Sequence, residues 1–268
     1  MSGFVKLENQ SSFRRMAAAM WHAPNDPTIY GASEYDMRAC NALLDKLRAD
    51  GVRVTVTHLV AKGVALALAR HPHLNARVRF WGKLERRKSV DIFIQVASED
   101  GRDLSGQRIA AADKLSLAEL AGSLRAAAEK IRKDEDPNFK KSKNLLRSLP
   151  WWILRPFLWI ASLLTNELNV DLSSSGMPAD PFGAAMITSL GMHGVDEAYA
   201  PMTPVARCLM IMLVPQVKDR VVVENGQMVI RPILKLFATF DHRIIDGHSA
   251  AVICRELRTI LDAPEQLL

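Results

Sequence analysis

The residues best equipped for chemistry lie near the C-terminal end, in Phe240-Asp241-His242-Arg243-Ile244-Ile245-Asp246-Gly247. Histidine titrates near neutrality, so His242 could take up and return a proton at physiological pH. Asp246 follows four residues later, and then Gly247, where a tight backbone that a side chain would obstruct is expected. The apolar, β-branched run from Ile230 to Phe240 predicts a strand leading in, and the pattern from Ser249 to Leu261 predicts a helix leading out. His242 and Asp246 thus fall on the turn between them. Rigid elements carrying a titratable loop are a common way to build a catalytic site. A lone histidine at a strand end is also a common structural residue, so the surrounding octet has to decide.

Within that octet, Asp241-His242-Arg243-Ile244-Ile245-Asp246-Gly247 resembles the Asp-His-Arg-x-x-Asp-Gly signature of the dihydrolipoamide acyltransferases, the core subunits of the 2-oxo acid dehydrogenase complexes. Their catalytic domain shares its fold with chloramphenicol acetyltransferase. Further stretches agree in order: Arg14-Arg15, Glu34 to Asp36, Val60 to Leu68, Pro72 and Asn75, then Thr188-Ser189-Leu190-Gly191, then Asp262-Ala263-Pro264 and Leu267-Leu268. Two departures are the Gly101-Arg102-Asp103 turn and the bulky His248 after Asp246-Gly247.

The resemblance implies an α/β two-layer fold of the chloramphenicol acetyltransferase type, a mixed sheet with flanking helices that forms trimers. It implies CoA-dependent acyl transfer to a dihydrolipoamide-type thiol, with His242 as general base. It implies Thr188 as oxyanion donor, reaching His242 from a neighbouring chain; the bland alternative for Thr188 is a β-branched strand residue. Asp246 is expected to hold the catalytic loop by pairing with an N-terminal arginine, Arg15 first and Arg14 second. CoA or acyl-CoA is a substrate, a lipoyl group comes only in trans, and no metal is needed.

The bulk numbers fit this picture. A chain of 268 residues, 49% apolar and 24% charged, can bury a sizeable core. We expect one catalytic domain over residues 1–268, without lipoyl or subunit-binding domains. Cys40, Cys208 and Cys254 are odd in number and far apart, which suggests neither disulfides nor zinc and fits a cytoplasmic compartment. No apolar run reaches the ~18 residues of a membrane span. The net charge of +6 suits an anionic ligand, whereas few aromatics and no basic stripe argue against nucleic acid. His71-Pro72-His73 reads as a surface turn, with metal binding as the alternative.

Along the chain, helices are expected from Ser11 to Trp21, from an Asp36 cap to Gly51, from a Thr57 cap over His58 to Arg70, and over Leu117 to Arg132 after Ser116. Strands are expected over Thr28 to Tyr35, Val52 to Val56, Asp91 to Ala97, Arg102 to Ile109, Arg207 to Val214 and Val221 to Glu224. Ala76 to Trp81 and Leu84 to Arg87 read as a hairpin about Gly82-Lys83, and Asn225-Gly226 reads as a hairpin turn.

The segment at about 136–180 maps onto nothing in the family. It starts basic and becomes apolar, with three of the five tryptophans, and Pro156 predicts two short helices rather than one. Two readings stand: a helical pair buried against the core or a neighbouring subunit, or an exposed apolar hairpin. The second would make Trp151 to Leu164 a peripheral membrane contact or the lining of an acyl-chain site. The acceptor could accordingly be a hydroxyl or amine on an apolar molecule, and a non-catalytic scaffold is the remaining alternative.

Overall fold

The computed structural model describes residues 26–79, 82–97, 104–132, 150–168, 170, 179–202 and 206–268. The expected helix at Ser11 to Trp21 and the Gly101 turn lie outside them.

The spine is strand β9 (Gln227–Asp241), which ends in the candidate site. Its second half is buried on both faces, as a central strand requires. It pairs antiparallel with β1 (Thr28–Asp36), β7 (Met210–Val214) and β8 (Lys218–Glu224). The Asn225-Gly226 turn between β8 and β9 has φ of 51° and 79° at its two central residues, the left-handed pair that matches strand twist. Beyond β7 come β6 (Ala185–Ser189) and β4 (Ile92–Ala97), both parallel, then β5 (Leu104–Ile109), antiparallel at the edge. The result is a seven-stranded mixed sheet. A separate hairpin pairs β2 (Ala76–Val78) with β3 (Leu84–Arg86).

Helices α1 (Arg38–Ala49), α2 (Val56–Arg70), α3 (Leu117–Arg132) and α5 (Gly247–Asp262) cover one face. Leu59, Val64 and Leu68 of α2 and Ile253 and Leu257 of α5 pack with Ile94, Ile187, Met212 and Leu236 of the sheet in one core. The other face carries a smaller cluster, Met186, Ile211, Leu213 and Phe237, capped by Ala206 and Cys208. This is the expected two-layer α/β arrangement.

Three local expectations are corrected. Asp36 is the last residue of β1, not a helix cap; its carboxylate accepts from the Arg38 backbone N–H at 2.9 Å and from Arg38 Nε at 2.8 Å. No strand forms at Val52 to Val56. Instead Thr55 becomes the cap and α2 starts two residues earlier than a Thr57 cap implies, because His58 Nδ1 turns back to accept the Thr55 N–H at 3.0 Å. Val54 and Val56 pack on the helical core rather than beside another strand. Finally, Trp151 to Ser162 is one helix, α4, running through Pro156 and closing in a π-turn at Leu163–Glu167. Pro156 removes only the donor to the Trp152 carbonyl, and both residues lie on the exposed side, where water can take that carbonyl.

Candidate active site

The last residues of β9 set His242 on a braced turn. The Asp241 N–H donates to the Leu209 carbonyl at 3.0 Å and the His242 N–H to the Pro27 carbonyl at 2.7 Å. The Asp241 carbonyl accepts from Ile244 and Ile245, both at 2.9 Å, which closes the turn, and fully buried Ile245 pins it to the core. The Asp241 carboxylate is itself buried. It accepts from Arg243 Nε at 2.9 Å, from Arg243 Nη2 at 2.6 Å and from the Arg243 backbone N–H at 3.0 Å. This hydrogen bonding raises the Arg243 pKa further above its already high value. A forked ion pair between the two neighbours of His242 leaves little freedom to the backbone that carries it, while the imidazole stays exposed.

Asp246 is the N-cap of α5, its Oδ1 accepting from the Ser249 N–H at 2.8 Å. That N–H, with the Ser249 hydroxyl second, holds the carboxyl below its ordinary pKa. Arg14 and Arg15, its expected partners, lie outside the described residues. Gly247 is corrected: it is the first residue of α5, and a Cβ there would meet nothing within 4 Å among the described residues. Helical backbone suits any residue, so no obstruction among the described residues demands glycine at this position.

Thr188 lies on β6, half-buried, on the face away from the helices together with Met186. Register fixes its distance from His242. Thr188 is level with Leu213, and Leu213 with Phe237, five residues before His242. That places the two about 17 Å apart along the strand direction. One chain therefore does not bring them together.

Sequence reasoning missed a second charged cluster. Glu167, 3% exposed at the end of the π-turn, meets Arg79 Nε at 3.2 Å and Arg207 Nη1 at 3.0 Å. Arg79 also holds Glu85 at 2.8 Å, and Arg87 forks onto Asp180 at 2.6 and 3.0 Å while donating to the Arg207 carbonyl. Asp180 and Arg207 both have left-handed backbones, φ 47° and 53°, a strain that the ion pairs hold in place. The cluster sits at His242's end of the sheet, since Leu209, two residues after Arg207, accepts the Asp241 N–H. One signal was available: Glu167 is the first acidic residue after Asp136.

Among the described residues no group of three or more His, Cys, Asp or Glu could hold a metal ion. A cleft between β5 and α3, lined by Gln107, Arg108 and Ser123, contains neither His242 nor Thr188.

Comparison with known proteins agrees with this geometry. The chain is 26% identical over 241 residues to the dihydrolipoyllysine-residue acetyltransferase component 5 of the chloroplastic pyruvate dehydrogenase complex of Arabidopsis thaliana, covering 90% of this chain but 42% of that protein. The structure matches the cubic core of the pyruvate dehydrogenase multienzyme complex with a TM-score of 0.68, at 23% identity and over 99% of this chain and 95% of that one. It matches a chloramphenicol acetyltransferase with a TM-score of 0.53, at 12% identity and over 88% and 89% of the two chains. The family model for the 2-oxoacid dehydrogenases acyltransferase (catalytic domain) matches residues 5–136 and 178–268, an interval that includes Thr188 and the whole His242 turn, and the chain belongs to that family.

Proposed function

We propose that this chain transfers an acyl group between CoA and a thiol acceptor of the dihydrolipoamide type. The observation that carries the reading is His242, exposed on a turn locked by the Asp241–Arg243 fork and the Asp246 cap, within a chain of this family. His242 takes the proton of the incoming thiol, whose sulfur attacks the thioester carbonyl. The new C–S bond forms as the carbonyl oxygen becomes an oxyanion, which the Thr188 hydroxyl stabilises. The intermediate collapses, the first C–S bond breaks, and the leaving thiolate recovers the proton from the imidazolium. Asp246 acts by shaping the loop, through the α5 cap and through Arg15 or, failing that, Arg14.

If Thr188 acts with His242, their separation of about 17 Å along the strands calls for a second copy, and we propose a homotrimer or an assembly of trimers with Thr188 and His242 from neighbouring chains. The β8–β9 hairpin supports self-association: Val221 opposes Ile230 and Val223 opposes Met228, all four 65–81% exposed. Acyl-CoA and a lipoyl group presented in trans are the proposed substrates, with no metal. A cytoplasmic location is supported by three free cysteines, of which Cys40 and Cys208 have thiols pushed up to about 12 by burial. A second reading keeps the chemistry but places the acceptor hydroxyl or amine on a lipid-like molecule; the exposed apolar side of α4 favours it.

The test is free-thiol release from a panel of acyl-CoAs, with and without dihydrolipoamide. Release that needs dihydrolipoamide and disappears in His242→Ala supports the first reading. Release indifferent to both contradicts it.

A further inference from the structure

Helix α4 presents its apolar residues outwards. Trp152, Trp159 and Ile160 are 64%, 61% and 50% exposed, and Pro156 is exposed between them. Positions 152, 156, 159 and 160 follow the i, i+4, i+7, i+8 spacing of a single helical face. Large apolar side chains grouped on one face mark an interaction surface.

Charge says what the surface meets. From Pro137 to Asn166 the sequence contains five cations, Lys140, Lys141, Lys143, Arg147 and Arg155, and no Asp or Glu. Tryptophan on an apolar helical face within a basic, acid-free stretch is the composition of a helix that lies in the headgroup layer of an anionic bilayer. A second copy docked face to face on the same stretch fits less well, because a two-fold contact would bring its like charges together. The β8–β9 hairpin is a separate apolar surface available for that purpose. Among the described residues no helix is long and apolar enough to cross a membrane, so α4 would lie on the surface.

The root of α4 gives the contact a consequence. Buried Glu167, at the end of the π-turn, is gripped by Arg79 and Arg207 at the end of the sheet that carries His242. A helix fixed in this way holds the catalytic turn at a set position relative to whatever α4 rests on. We propose that α4 docks the protein peripherally on anionic lipid through Trp152, Trp159 and Ile160, beside the end of the sheet where His242 lies. The docking does not depend on the acyl-transfer reading.

The experiment is flotation of the full chain with vesicles of phosphatidylcholine alone and with about a third phosphatidylglycerol. The native chain is expected to float with the anionic vesicles and to be released as salt shortens the screening length from ~10 Å to ~3 Å. Trp152→Gln with Ile160→Gln should lower partitioning about tenfold or more, with unchanged sedimentation and unchanged turnover of soluble substrates. Lys140→Gln, Lys141→Gln and Lys143→Gln together should weaken anionic binding without touching α4, which guards against misfolding as the cause. Failure of the native chain to float overturns the proposal, as does flotation undiminished by both sets of substitutions. Dissociation of the Trp152/Ile160 variant into smaller species, with no flotation of the native chain, assigns the face to a second copy instead. Turnover of soluble acyl-CoA without vesicles is a separate reading, so failure of docking and failure of catalysis are distinguishable.

Discussion

Two acid–guanidinium clusters hold the His242 turn and helix α4, and they are built differently. Asp241 and Arg243 are two residues apart, and their fork stiffens a single turn around His242. Glu167 gathers Arg79 from the β2–β3 hairpin and Arg207 from the approach to β7, and it ties α4 to the sheet. The first cluster is local and leaves His242 in the open. The second is long-range and buries its acid. A local lock sets the direction of one side chain, whereas a distant one sets the position of a whole element. The first should therefore govern rate and the second the attachment of α4.

Substitutions can break this division. The largest effect is expected at the residues proposed to touch the reacting atoms. His242→Ala should lower acyl transfer by about 10²–10⁴-fold and Thr188→Val by about 10²–10³-fold, with vesicle binding unchanged in both. Steady-state kinetics beside flotation checks this, and loss of both functions together would erase the distinction. Next comes the local lock. Asp241→Ala should cost roughly 10²-fold in kcat through misplacement of His242. Because Arg243 is half exposed, the stability loss should be only about 1–2 kcal/mol by denaturant titration. An unchanged kcat would deny the fork its positioning role.

Glu167→Gln reverses the pattern. It should lower Tm and open the chain to proteolysis near α4, while the kcat for soluble acceptors stays within about threefold of native. A large kcat loss with α4 still protected would show that the distant cluster belongs to the catalytic machinery.

The smallest effects are in pH dependence. Burial, with Arg125 second, lowers the His58 pKa from 6.5 to about 4, so the folded state keeps it neutral while the unfolded chain takes a proton. Its contribution is complete above pH 6.5, falls as pH drops towards 4, and amounts to no more than about 3 kcal/mol. His58→Gln, which can still accept the Thr55 N–H, should flatten that limb. Asp246 acts at lower pH. Its contribution is present above its ordinary value of 3.8 and is lost as pH falls through the depressed folded value. Asp246→Ala should lower both Tm and rate; an unchanged Tm with lost activity would contradict its loop-shaping role.

The difference between the clusters also explains what could be read in advance. The His242 turn was legible because strand, turn and helix are contiguous, although the cap by Asp246 was missed, its carboxylate having been assigned to an arginine; the β8–β9 hairpin was legible because Asn225-Gly226 alone dictates a left-handed pair. Arg14 and Arg15 stay expectations. Helix α4 was misread as two pieces because Pro156 signals a break only when the carbonyl it orphans has no other partner, and exposure of that side is a tertiary fact. The strand expected at Val52 to Val56 failed for a similar reason: a short β-branched run needs a neighbouring edge, and His58 offered a helical cap first. Of the Glu167 cluster only the lone acid at Glu167 was legible, because its partners become neighbours only once the sheet forms. Gly247 was given a steric reason that the open space around it does not support.

The most direct test of a site divided between chains is subunit complementation. His242→Ala and Thr188→Val chains, each inactive alone, are co-expressed so that mixed assemblies form, and acyl-CoA turnover is measured. If Thr188 of one chain serves His242 of its neighbour, about a quarter of native activity should return, the fraction of random interfaces that pair an intact Thr188 with an intact His242. Mixed assemblies no more active than either variant alone would contradict the divided site.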